Sequence, residues 1–209
     1  MKPLIVVTAD VIDSRSHPEV ADVLRRKMQQ WMQPGLLTPF SLAVGDELQA
    51  VCEWSEALPA LIRRLRWKCH PFQIRVGIGF GTVDDWRPDA ASWEMNGSAF
   101  YHARDALEAI SQSKQPLTRV GAGDEGFALA LNTIYPLIDL LMSRWTFEQW
   151  EAIAAYEELQ TYEKAAGRLG ITRQNVQKRC YAASWDLVQA TEERLGRLIV
   201  MHRPTYNAP

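Results

Sequence analysis

Two groups of residues in this 209-residue chain have types and spacings that can do chemistry. The first is acidic. Asp10 closes the apolar run LIVVTAD, and Gly45-Asp46-Glu47 interrupts two alternating runs, FSLAV and LQAVC. Two carboxylates brought face to face repel each other unless a cation lies between them. Mg²⁺ suits such a pair, because it takes one or two carboxylates, a backbone carbonyl and phosphate oxygens from a ligand. On this reading Asp10 and Asp46 are the metal carboxylates and the Val11 carbonyl is a further donor. Arg104, on a later helix, is placed to meet an anion, while the role of Glu47 stays open between ligand binding and capping of the turn. The competing reading is ordinary turn chemistry, since Gly tolerates positive φ and Asp bonds its own backbone. A second Gly-Asp, in VGAGDEGFALA, shows how common the pattern is.

The second group is polar and basic. In EKAAGRLGITRQNVQKRC, Ala166, Gly170 and Val176 have the spacing of a helix-turn-helix: a close helix contact, a turn and a buried second helix. Thr172 caps that second helix, whose outward residues are Arg173, Gln174, Asn175, Gln177, Lys178 and Arg179. Arg, Gln and Asn can bond base edges, and Lys and Arg can bond phosphate. The plainer alternative is a helical bundle that only packs or dimerises.

Elements that could position these groups follow from periodicity. LIVVTAD reads as a doubly covered strand. Val20, Val23, Leu24, Met28, Trp31 and Met32 recur at helical spacing, up to Pro34-Gly35. The alternation around Gly45-Asp46 predicts a hairpin. A helix from Ser55 carries Leu58, Leu61, Ile62, Leu65 and Cys69 on one face, which leaves RRLRWKCH as a wet basic face. FQIRVGIGFG is a strand with three glycines, and GSAFYHARDALEAI is a helix. The order βαββαβ is the ferredoxin-like plan, an antiparallel sheet covered by helices. After SQSKQP a long apolar helix containing Pro136 leads to TFEQ, a capping box, and then to an all-helical tail. The expected partition is an α+β domain over 1–116, a connecting helix over 117–145 and a helix-turn-helix domain over 146–209.

Composition narrows the function classes. Hydrophobic residues make up 47% and charged residues 23%, an ordinary globular mix. A formal net charge of -2 excludes a generally basic nucleic-acid coat but not a local basic face. Cys52, Cys69 and Cys180 have no ligand-like spacing, so zinc is not expected and reduced thiols in the cytoplasm are. MKPLIVVTAD has too short an apolar core for a signal peptide. Phe127–Met142 is interrupted by Asn132, Pro136 and Asp139, so no membrane span is expected.

The chain also resembles known families. TADVIDS, VGDELQ, RVGIGFG and GSAFYHAR are similar to the metal strand, hairpin, following strand and arginine-bearing helix of class III nucleotide cyclases and GGDEF diguanylate cyclases. The whole chain, tail included, more closely resembles the SatD family, which joins such a domain to a helix-turn-helix. The resemblance implies a nucleotide and Mg²⁺ site at Asp10 and Asp46, with Arg104 as the transition-state arginine if there is catalysis. Phe100 stands where cyclases carry an asparagine, one turn before the arginine, which argues against cyclisation. The leading expectation is a DNA-binding transcriptional regulator with a cyclase-like nucleotide- or metal-sensing domain, acting on duplex DNA as a homodimer. The alternatives are a Mg²⁺-dependent enzyme acting on a nucleotide phosphate, or a decayed cyclase-like interaction module.

Overall fold

A computed structural model describes residues 2–42, 45–84, 86–115 and 117–204. The first half alternates strands and helices: β1 (Lys2–Val11), α1 (Val20–Met28), β2 (Ser41–Leu42), β3 (Leu48–Cys52), α2 (Leu58–Cys69), β4 (Ile74–Val83), α3 (Ser98–Glu108) and β5 (Thr118–Gly121). The five strands form one mixed sheet in the order β2-β3-β1-β4-β5. All pairings are antiparallel except β4 with β5, which run parallel. Five helices follow: α4 (Glu125–Met142), α5 (Phe147–Leu159), α6 (Tyr162–Leu169), α7 (Arg173–Ala182) and α8 (Trp185–Met201).

The period-2 alternation of β1 sorts its side chains onto two faces. Ile5, Val7, Ala9 and Val11 enter the larger core with α1, α2 and helices of the tail. Leu4 and Val6 face the smaller core with Ala99 and Ala103 of α3. Gly77 and Gly79 of β4 let α3 lie directly on the sheet. A Cβ at Gly79 would stand 1.9 Å from the Ala99 carbonyl oxygen, and one at Gly77 would stand 2.3 Å from that of Ala103. The three glycines expected to mark a close backbone approach therefore do so, beneath a helix.

Several elements differ from expectation. Segment 117–145 contributes the edge strand β5 as well as the helix α4. The second Gly-Asp is a helix start: the Asp124 carboxylate caps α4 by accepting from the Phe127 N–H at 3.0 Å. Ser55 does not cap α2, which begins at Leu58 after Ala57. Val44, expected in the first hairpin strand, lies outside the described residues. Helix α4 reaches back to Glu125 and, by length and composition, is long and apolar enough to cross a membrane. One side of it nevertheless sends Phe127, Leu131, Tyr135, Ile138 and Met142 into the protein core.

The supposed wet face of α2 is the largest departure. Arg63 and Arg66 are both buried. Arg63 donates to both Glu157 oxygens of α5 and, at 2.9 Å, to Glu192 of α8. Its guanidinium also lies 4.6 Å from the Trp185 ring centroid. Arg66 bonds the Ile74 carbonyl, the Thr118 hydroxyl and Asp139. Buried cations persist only where carboxylates and carbonyls replace their water. Helix α2 is thus a hub between the sheet and the tail, and the hydrophobic core runs without a break from β1 to α8.

Candidate functional site

The acidic site lies where β1 ends. The β1–β3 register pairs Ala9 with Leu48, so the next position sets Asp10 opposite Glu47. Across the other edge of β1, Asp10 is paired with Arg75 of β4. Glu47, Asp10 and Arg75 therefore form a row across the sheet, on the face that carries α3. Arg75 closes a two-pronged bond on Asp10, with Nε to Oδ1 at 2.9 Å and Nη2 to Oδ2 at 2.6 Å. Glu47 accepts from the buried Thr8 hydroxyl at 2.8 Å. Burial pushes the Asp10 carboxyl above its ordinary range; Arg75 opposes this, while the charges of Asp46 and Glu47 push it further up.

The three predicted acids are thus electrostatic neighbours. Asp46 occupies the turn after Gly45, whose φ of +64° is the left-handed geometry that a glycine supplies. It is Glu47, whose role was open, that shares a row with Asp10. Val11 ends β1 with its side chain in the core. Arg104 is exposed on α3 and has no ion-pair partner among the described residues. It follows Phe100 by one helical turn, and Phe100 packs on the small core of β1 and β3, so both share that flank of α3. His102 of α3 bonds the Phe80 carbonyl at 2.7 Å through Nδ1. No cluster of three His, Cys, Asp or Glu groups close enough to hold a metal occurs among the described residues. The donor set is two or three carboxylates, one already matched by Arg75. That suits Mg²⁺ only when a ligand supplies phosphate oxygens for the rest of the shell.

The second candidate site is the α6–α7 pair. Gly170 ends α6 with φ +64°, and the Ile171 N–H reaches back to the Ala166 carbonyl at 3.1 Å. The Thr172 hydroxyl caps α7 by accepting from the Asn175 N–H at 3.2 Å. Val176 and Cys180 fasten one side of α7 in the core, with Ala165 and Ala166 buried on α6. Of the predicted contact residues, Thr172, Arg173, Gln174, Asn175, Gln177 and Lys178 are exposed. Arg179 is turned toward Glu151 of α5 at 3.7 Å and is half-buried. Arg173 pairs with Glu163 at 3.0 Å on the surface. Sequence reasoning missed Tyr181, which is 85% exposed. Its signal was the spacing Gln174, Gln177 or Lys178, Tyr181, one solvent face of a helix.

The profile of the SatD family matches residues 4–198, nearly the whole chain. The protein belongs to the SatD family. No curated protein matches it. Among solved structures, it aligns with the crystal structure of a regulator of polyketide synthase expression from Bifidobacterium adolescentis. That alignment has 12% identity and a TM-score of 0.23, covering 98% of this chain and 83% of the other. A score so low carries no structural argument.

Proposed function

We propose that this SatD-family protein is a DNA-binding transcriptional regulator. On this reading α6 and α7 form a helix-turn-helix, and the sheet is a ferredoxin-like, cyclase-related domain that senses a nucleotide with Mg²⁺. The observation that carries the proposal is the presentation of α7. Its capped N-terminus and the residues Arg173, Gln174, Asn175, Gln177 and Lys178 face solvent, while Val176 and Cys180 anchor it. A recognition helix meets a major groove through its N-terminal residues in this way. The acids that pair with Arg173 and Arg168 dilute the local positive charge. Few phosphate contacts follow, so affinity should fall only shallowly with salt.

On the sheet, Asp10 and Glu47, with Asp46 beside them, would hold Mg²⁺, and Arg104 would meet the phosphates. When bound, the ion would supply positive charge between ligand phosphates and the protein carboxylates. The residues themselves set the condition for binding: Arg75 must share or yield Asp10, whose carboxylate it grips at both oxygens.

The test is selection of bound genomic fragments by the purified full chain. An enriched site is expected. Arg173→Ala or Asn175→Ala should relax its sequence preference, by about 1–3 kcal/mol for each side chain that bonds a base edge at two points. Lys178→Ala should weaken all sequences alike and lower the salt slope by about 1. Absence of any enriched site, together with an unchanged affinity in Arg173→Ala, removes the regulator reading. A second reading, a Mg²⁺-dependent enzyme on nucleotide phosphates, is favoured by the Glu47–Asp10 row. Formation of a cyclic nucleotide that is lost in Asp10→Asn would replace the first reading with it.

A further inference from the structure

Helix α4 is apolar on two sides. One side fills the core; the other leaves Leu129 69%, Leu137 63% and Leu140 49% exposed, with Thr133 and Pro136 exposed between them. Positions 129, 133, 136 and 140 step by four, three and four residues, the spacing of a helix–helix seam. Scattered exposed leucines need no explanation, but a seam along a single helix does.

What covers this seam can be argued from charge. Between Glu125 and Arg144, the sole charged residue is Asp139, and it is buried against Arg66. Glu125 and Arg144 are both exposed, one at each end of the seam. A membrane surface would favour Lys or Arg along the polar flank of such a helix, and α4 has none from Glu125 to Met142. A helix acidic at its start, basic just past its end and neutral between is complementary to itself when reversed. The midpoint of Leu129 and Leu140 is also the midpoint of Glu125 and Arg144. A two-fold axis there sets Leu129 against Leu140 of the other copy and Glu125 against the other Arg144 in the same arrangement. The neighbouring sheet edge offers no competing route at this place. Asn132 bonds both the N–H of Val120, at 2.8 Å, and its carbonyl, at 2.9 Å, and so occupies the open side of β5.

We propose that two copies of this chain associate through α4, antiparallel about a two-fold axis between Thr133 and Pro136. The inference stands apart from the DNA-binding reading, because its test contains no nucleic acid. Sedimentation velocity of the full chain is expected to give twice the chain mass. Leu137→Glu/Leu140→Glu should give the 23.8 kDa of a single chain with an unchanged circular dichroism spectrum. Glu125→Arg alone and Arg144→Glu alone should each raise the dimer dissociation constant about tenfold, and an equimolar mixture of the two should restore it. The loss in each single variant belongs to an antiparallel pair: parallel helices would set each charge against its own copy, so a single reversal would leave their repulsion unchanged and only the mixture would gain. A monomeric wild type at about 100 µM overturns the proposal, and so does a dimer that survives the double Glu variant. A wild type that stays monomeric and floats with anionic vesicles would assign the seam to a lipid surface instead.

Discussion

Removing Arg63 isolates a buried charge, and the consequence can be worked from its contacts. Arg63→Met keeps most of the side-chain volume but deletes the guanidinium. Glu157 retains Arg64, which bonds it at 3.1 and 2.6 Å, and it remains near water. Glu192 keeps no hydrogen bond from a cation, and its side chain is only 7% exposed. Breaking a buried pair from one side costs about 3–5 kcal/mol, because the remaining charge stays desolvated. For a chain of this length each kcal/mol moves Tm by about 2–4 °C, so a fall of roughly 10 °C is expected. The pH dependence identifies the cause. Burial already raises the Glu192 carboxyl, Arg63 opposes that rise, and the charge of Glu157 adds to it. Without Arg63 the folded-state pKa climbs further, so the native state holds a proton that the unfolded chain releases. Stability then falls as pH rises from the unfolded carboxyl pKa through the folded one. Urea denaturation followed by circular dichroism should therefore find the variant weaker, relative to wild type, at pH 7.5 than at pH 5. Arg63→Met/Glu192→Gln should recover more than half of the loss at pH 7.5. A loss below about 1 kcal/mol, or a loss that is the same at both pH values and is not rescued, would falsify the argument that an uncompensated Glu192 dominates.

Other expectations are simpler. Gly79→Ala should push α3 off the sheet at a cost of at least about 1–3 kcal/mol, measured by denaturation, since its new Cβ meets backbone that cannot rotate away; a neutral effect would contradict the close packing. Thr172→Ala removes the α7 cap at a cost of about 1 kcal/mol, and it should weaken DNA binding by no more than that frayed turn explains. Mg²⁺ with a nucleoside triphosphate at about 100 times the dissociation constant should stabilise the wild type by about 2.7 kcal/mol in a thermal-shift assay. Asp10→Asn should lose that gain, and a flat response in wild type across common triphosphates would count against the acidic site.

Much of the strand pattern was legible because it is local. The continuous apolar run LIVVTAD, the alternation of LQAVC and the glycine-bearing run FQIRVGIGFG each mark a strand, and Ala166, Gly170 and Val176 mark a helix pair whose buried residues are local too. The short strand β5 was not legible, since Thr118–Gly121 has four residues and follows a polar linker. Nor was the interior of α2. Taken by itself, RRLRWKCH is a basic face; Arg63 can be buried only because Glu157 and Glu192 arrive from 94 and 129 residues away. The row of Glu47, Asp10 and Arg75 failed for a related reason. Sequence placed the acids at one sheet edge, but a single residue of register decides whether Asp46 or Glu47 shares the face of Asp10. The partner of Asp10 lies 65 residues further along the chain.

The same long-range contacts constrain how the proposed sensor could reach the proposed reader. A ligand shifts an equilibrium only by binding two states unequally, so the acidic site needs an element with two arrangements. The Asp10–Arg75 pair is the candidate: the guanidinium grips both carboxylate oxygens, and a bound cation would have to take them from it. Arg75 adjoins Ile74, whose carbonyl is held by Arg66, and Arg66 in turn holds Thr118 at the start of β5 and Asp139 of α4. Three residues earlier on α2, Arg63 holds α5 and α8. Adjacency of this kind is not itself coupling. It does specify where coupling would break: weakening the Arg66–Asp139 bond should spare ligand binding at Asp10 and DNA binding at α7 while reducing the effect of each on the other. Since coupling between two binding sites is reciprocal, both effects must shrink by the same factor, and a variant that reduced only one of them would be altering a site and not the link.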